Sequence, residues 1–172
     1  FDHELAKLTW FGVGGRAEIL FIAEDLMSLS NFLINKPKEL NLLIIGAGSN
    51  LLIRDKGFKG IVVLTKKLNN INIDENQIIT AEAGAIDADV ARFARNNVRG
   101  GLEFLLGIPG TIGGGIRMNS GAFGSEFKNV LIDVKAISHS GKFRTFTNKE
   151  LGMNYRRIEI SEEWIFCSAR FR

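Results

Sequence analysis

Cysteine is almost missing from this sequence. Among 172 residues only Cys167 occurs, which excludes an internal disulfide and any cysteine-based metal cluster. It stands in the apolar run "WIFCSARF", the setting of an inert, buried strand residue. Histidine is nearly as scarce. His3 and His139 are isolated, in contexts that suit a surface or a turn, so no metal site and no Ser-His-Asp or Cys-His set is expected. Long hydrophobic runs are absent too. None approaches the roughly 18 apolar residues of a membrane span, and no signal peptide is visible, so a cytoplasmic location without membrane insertion is expected. Neither sign of charge dominates: 22 Lys and Arg stand against 19 Asp and Glu, a net charge of +3. The longest basic runs are the pairs Lys66-Lys67 and Arg156-Arg157, with acids interleaved throughout. That pattern speaks against a nucleic-acid partner and for a small anionic ligand. Nothing in the composition points to an oligomeric state.

What is present is a globular composition, 45% hydrophobic and 24% charged, with length for one ordinary domain or two small lobes. The chain starts at Phe1 and stops just after an apolar run, so it reads as part of a longer protein. Glycine is the outlier, at 19 residues against two prolines. The glycines fall in clusters at 12–15, 46–48, 100–101, 107–115 and 121–124, which makes them placed turns rather than a flexible spacer.

The hydrophobic pattern predicts a strand over residues 17–23, then a helix capped by Asp25 with Leu26, Leu29, Phe32 and Leu33 on one face. "LLII" at 42–45 and "IVVL" at 61–64 are further strands, completing a β-α-β unit. A hairpin follows with its turn at Asp74-Glu75-Asn76. Asp87 is expected to cap a second helix carrying Val90, Phe93, Ala94 and Val98, stopped at Arg99-Gly100-Gly101. Another hairpin turns at residues 139–142, and a strand closes the chain from Trp164 to Phe171. The expectation is an α/β lobe over residues 1–68 and an α+β lobe over 69–172. Helices are too few after residue 100 for one doubly wound sheet.

Three stretches carry chemistry. "IIGAGSNLLI" (44–53) begins like a dinucleotide fingerprint, but Leu51 stands where the third glycine of G-x-G-x-x-G belongs. The continuation "LLIRDKGFKGIVV" leaves room for one helical turn at most. Two readings stay open: a structural turn between strands, or a cradle of backbone N–H groups for a phosphate, with Ser49 and Asn50 adding donors. "GLEFLLGIPGTIGGGIRMNSGAFG" (101–124) is dense in glycine yet apolar. Ordering glycine is costly, so such a segment implies close backbone approach to a flat cofactor or a diphosphate, or else a chain of structural turns. It lacks G-x-x-x-x-G-K-[ST], which excludes a P-loop. "NYRRIEI" (154–160) sets a phenol beside two guanidiniums, suited to a carboxylate or a developing oxyanion, or to a basic strand edge.

In order, "LTWFGVGGRAEIL", "GAGSNLLIRDKGFKGIVV", "GLEFLLGIPGTIGGGIRMNSGAFGSE" and "NYRR" resemble the UDP-N-acetylenolpyruvoylglucosamine reductases, over nearly the whole chain. The resemblance implies an α+β, non-Rossmann FAD-binding fold of the vanillyl-alcohol-oxidase type, made of two α/β lobes that clasp the cofactor. It implies non-covalent FAD, NADPH as hydride donor and a UDP-sugar substrate in peptidoglycan precursor synthesis. The pyrophosphate turn would be Gly46, Ala47, Gly48, Ser49 and Asn50, followed by Leu51 and Leu52. Gly107, Ile108, Pro109, Gly110, Thr111, Gly113 and Gly114, with Asn119 and Gly121, would lie along the diphosphate and isoalloxazine. Arg156 would hold the substrate carboxylate and stabilise the enolate-like intermediate, and Tyr155 would help position the substrate.

Two departures accompany the resemblance. The family usually carries a serine two residues after the arginine, where this chain has Ile158. The family's third, substrate-binding domain, which supplies a serine general acid and a late glutamate, has no counterpart here, and "GSEFKN" (124–129) only echoes its serine motif. The chain is therefore expected to bind FAD without completing the reaction. Two alternatives are another flavin oxidoreductase of this fold and a non-catalytic nucleotide-binding module. Enzymes that tether flavin through His or Cys fit less well, because His3, His139 and Cys167 lie outside the glycine motifs.

Overall fold

Asp25 begins the first helix as its pattern predicts. In a computed structural model that describes residues 1–172, its carboxylate accepts from the Ser28 N–H at 2.6 Å, and Ser28 Oγ accepts from the Asp25 N–H at 3.1 Å. This reciprocal capping box satisfies two N–H groups that a helix start leaves unpaired. Helix α1 (Leu26–Asn35) then turns Leu29 and Leu33 inward onto a four-stranded sheet. The sheet holds β1 (His3–Glu4), β2 (Arg16–Ile22), β3 (Leu42–Ile45) and β4 (Phe58–Leu64) in the order β1-β2-β4-β3. β4 is central and parallel to both β2 and β3. Its buried run "GIVVL" is the continuous apolar stretch that a strand covered on both faces requires. Phe21 and Phe32 stack with ring centroids 3.8 Å apart, fixing α1 on β2.

A second, antiparallel sheet uses β5 (Ile71–Ile73), β6 (Ile79–Glu82), β9 (Leu131–Ser138), β10 (Phe143–Thr147) and β11 (Trp164–Phe171), ordered β10-β9-β11-β6-β5. Between β6 and β9 the chain makes α2 (Asp87–Asn96), a 3-10 turn at Glu103–Gly107 and the short α3 (Ile112–Arg117). A two-residue hairpin of β7 (Gly121–Ala122) and β8 (Ser125–Glu126) leads into the single turn α4 (Phe127–Val130). These pieces close over a core of 22 buried residues. Phe127 lies at its centre, 5.9 Å from the Phe104 ring and 6.0 Å from Phe171.

The two sheets share packing. One cluster joins Leu29, Leu33, Ile61 and Val63 to Ile137, Ile165 and Cys167, and Ser30 donates its hydroxyl to the Gly141 carbonyl at 3.1 Å. Cys167 is fully buried, and burial pushes its thiol up to about 12.

Two local expectations are corrected. Asp87 does not cap α2: Ile86 holds the cap position, Asp87 is the first helical residue, and its carboxylate makes no cap bond. The helix also ends before the glycines. The Asn97 side chain donates to the Phe93 carbonyl at 2.9 Å, and Val98 takes the left-handed conformation at φ 57 and is exposed rather than packed on the helix face. A side-chain bond back to the last turn terminates α2 where glycine was expected to do so.

Candidate functional site

The turn after β3 stands at the carboxyl end of a parallel strand, where open α/β sheets place their ligand crevice. Gly48 has φ 68, and a Cβ there would collide with the Leu8 carbonyl, so only glycine fits. The Trp10 N–H donates to the Gly48 carbonyl at 3.0 Å, bracing the turn from behind. The turn's own donors point elsewhere: no backbone N–H from Gly46 to Leu52 bonds to a protein acceptor. Successive unpaired amides of this kind form a concavity for an anion.

The facing wall is residues 107–111. Ile86 and Thr111 form an isolated β-bridge, and the Ile112 and Gly113 N–H groups donate to the carbonyls of Ala85 at 3.0 Å and Ala83 at 2.8 Å. This anchoring brings Thr111 against Gly46 so closely that a Cβ on Gly46 would overlap Thr111 Oγ1. The N–H groups of Thr111 and Gly114 are likewise unpaired. Between the walls lies a cleft of about 450 Å³ lined by residues 46–51 and 107–111 with Gly114, Gly121 and Arg156. A second cavity of about 780 Å³ shares Ala47 and residues 107–111 and is bounded by Trp10, Lys66 and Ile71. The glycine wall therefore borders both spaces.

Arg156 reaches the cleft from a tight turn closed by paired bonds between Asn154 and Arg157, at 2.8 and 3.1 Å. Its φ is 52, the left-handed region in which a side chain other than glycine is uncommon. The guanidinium donates to the carbonyls of Asn119 at 3.3 Å and Gly121 at 3.0 Å, which leaves further N–H donors free.

Four expected residues lie outside the cleft. Leu52 points to solvent, and Gly113 turns toward Ala83, where a Cβ would meet the Ala83 side chain at 2.9 Å. Tyr155 is exposed, with the Arg156 guanidinium 5.3 Å from its ring centre. Asn119 is fully buried and works behind the wall, donating to the Asn154 carbonyl at 3.0 Å and to Glu126 at 3.1 Å and accepting from the Lys128 N–H at 3.1 Å. Ile158, at the place of the usual serine, belongs to the large core, so no hydroxyl supports the Arg156 turn from there.

Arg117 also lines the cleft. Gly114 and Arg117 share a face of α3 at three-residue spacing, the signal by which the sequence could have revealed it. Its guanidinium lies 4.4 Å from the Phe166 ring centre and donates to the carbonyls of Ile160 at 3.1 Å and Trp164. Burial pulls its pKa below the ordinary value, with Glu162 acting in the opposite direction. The cleft lining thus contains two guanidiniums and no carboxylate, an electrostatic setting for a diphosphate or another anion. Asp87, just behind Gly110, is fully buried with both carboxylate oxygens unpaired, and burial raises its pKa to about 8.

A turn with free amides facing a glycine wall, with two guanidiniums in the lining, is the kind of cleft an anionic ligand requires, and sequence comparison gives the family. Residues 32–147 match the FAD binding domain family, and the chain belongs to it. The chain is 44% identical over 172 residues to the UDP-N-acetylenolpyruvoylglucosamine reductases of Rickettsia massiliae (strain Mtu5) and Rickettsia prowazekii (strain Madrid E). Those alignments cover 99% of this chain and 58% of each relative, so the chain spans less than two thirds of their length. The crystal structure of UDP-N-acetylenolpyruvylglucosamine reductase from Thermus caldophilus superposes with a TM-score of 0.82 at 29% identity, over 98% of this chain and 59% of that one. Glucooligosaccharide oxidase from Acremonium strictum shares the fold, with a TM-score of 0.68 at 13% identity over 91% of this chain and 35% of that one. The fold is α+β, of the vanillyl-alcohol-oxidase type.

Proposed function

We propose that this chain is the FAD-binding part of an NADPH-dependent reductase that converts UDP-N-acetylglucosamine enolpyruvate to UDP-N-acetylmuramate for peptidoglycan, in the cytoplasm. The supporting observation is the uninterrupted row of unpaired amides from Gly46 to Leu52, opposite residues 107–111, in a cleft with no acidic lining. In this reading residues 1–68 and 69–172 are the two lobes that clasp the cofactor. The missing Cβ atoms of Gly46 and Gly48 let main-chain N–H groups reach the pyrophosphate, and the two cavities sharing Ala47 and residues 107–111 accommodate an extended dinucleotide.

Residues 46–50 and 107–111 would hold FAD, which would supply the hydride-transfer chemistry that links NADPH to the enolpyruvyl group. This chain's own contribution is binding and charge. Arg156, held at the cleft by the Asn119 and Gly121 carbonyls, directs its remaining donors toward the substrate carboxylate and the negative charge that builds beside it. Tyr155, exposed next to that guanidinium, borders the substrate's approach. The proton for C2 comes from outside this chain, in the part of the relatives that it does not span. Flavin binding is non-covalent in this reading: Cys167 is buried away from the cleft, and no histidine lines it.

The test is the visible spectrum of the purified chain with added FAD, alongside a thermal melt. Flavin bands that co-purify with the protein and a rise in Tm with FAD are expected. A chain that neither retains flavin nor shifts its Tm would refute the cofactor assignment.

A further inference from the structure

Asp87 is the one side chain whose buried polar atoms have no hydrogen-bond partner. Buried carboxyls are normally paired, because leaving one unpaired carries a desolvation penalty. Its place makes the exception informative. The Asp87 N–H donates to the Gly110 carbonyl at 3.1 Å, and a Cβ on Gly110 would come within 2.8 Å of Asp87 Oδ2. The carboxyl therefore rests against the back of Gly110, while the front of residues 107–111 faces the dinucleotide cleft.

No ion pair stands ready for it. On its own helix Asp89 bonds Arg92 at 2.6 Å. On β6, Glu82 accepts from the Asn70 N–H at 2.9 Å, and before the glycine wall Glu103 accepts from the Gly101 N–H at 2.8 Å. Lys66 lies across the second cavity, and Arg117 on α3 is committed to the carbonyls of Ile160 and Trp164. Burial is the sole cause of the shift at Asp87, which none of these groups offsets.

We infer that Asp87 is a positioning residue for the cofactor wall: as a neutral acid it lies against Gly110 and holds residues 107–111 in place, and on ionising it must leave, carrying the wall out of register and releasing the dinucleotide. This rests on the reading of the cleft as an FAD site. The shift supports it in sign. With a folded value near 8, the carboxyl is neutral at physiological pH and loses its proton only in mild alkali.

The test measures FAD dissociation constants, by flavin fluorescence, from about pH 6.5 to about pH 9.5 for the chain and for Asp87→Asn, which keeps the shape without the titration. Above its ionisation point the parent is expected to lose affinity about tenfold per pH unit, while Asp87→Asn stays level. Parallel profiles would overturn the role of Asp87 and leave the cofactor assignment standing. No binding by either protein at any pH would overturn the cofactor assignment, and this inference with it. The 13Cγ shift of Asp87 in the isotope-labelled parent needs no variant to fold: titration near pH 8 is expected, and titration in the ordinary carboxylate range would refute a buried neutral acid.

Discussion

Gly46 and Thr111 face each other across the cleft, backbone against hydroxyl, with no space for a methyl group between them. The contact sets how close the free amides of the Gly46 turn stand to the facing glycine wall. Replacing Gly46 with Ala therefore drives Thr111 outward. We expect about a tenfold or greater loss of FAD affinity and roughly 1–3 kcal/mol of stability, by flavin titration and thermal melts. The double variant Gly46→Ala/Thr111→Ala restores room at the contact and is expected to recover most of the stability. Additive losses in that cycle would show that the two residues are not coupled.

Arg156 is expected to matter for turnover and little for flavin. In a full-length protein carrying this chain, Arg156→Ala should lower kcat by about a hundred- to a thousand-fold, as loss of an oxyanion donor does, while the flavin spectrum is retained. Normal turnover with bound flavin would remove Arg156 from the reaction.

Arg117 ties α3 to the segment running from the Arg156 turn into β11, through the Ile160 and Trp164 carbonyls. Arg117→Ala leaves those carbonyls short of donors and removes the contact with Phe166, a loss of roughly 1–3 kcal/mol in denaturant unfolding. Amide exchange over residues 154–164 should accelerate with it. Unchanged exchange there would mean that Arg117 does not hold the segment.

Cys167 should be inert until the chain unfolds. Its thiol is buried and pushed up to about 12, so almost no thiolate is available at neutral pH. A thiol-reactive dye should label it only in denaturant. Flavin, in turn, should appear in the supernatant after acid precipitation, and flavin retained in the pellet would contradict non-covalent binding.

Much of the secondary structure was legible because its causes are local. Asp25 and Ser28 cap α1 within four residues, and the apolar spacing at Leu26, Leu29 and Leu33 needs no distant partner. The hairpin of β9 and β10 follows from two alternating runs around a four-residue turn. Local reasoning failed at α2 for a reason equally physical. Nothing near Asp87 in sequence reveals that residues 110–112 fold back on residues 85–87, burying the carboxyl that would otherwise have capped the helix.

Sequence alone determined which backbone could approach a ligand, since the glycine runs at 46–48 and 107–115 are written into the chain and glycine alone lacks the Cβ that would block a close approach. Only the tertiary structure decided which of those residues meet. The order β10-β9-β11-β6-β5 joins strands far apart in the chain, and long-range pairing of this kind is set by whole-core packing rather than by local propensity. That packing sets Thr111 against Gly46, aims Arg117 at carbonyls more than forty residues later and strands Asp87 behind Gly110.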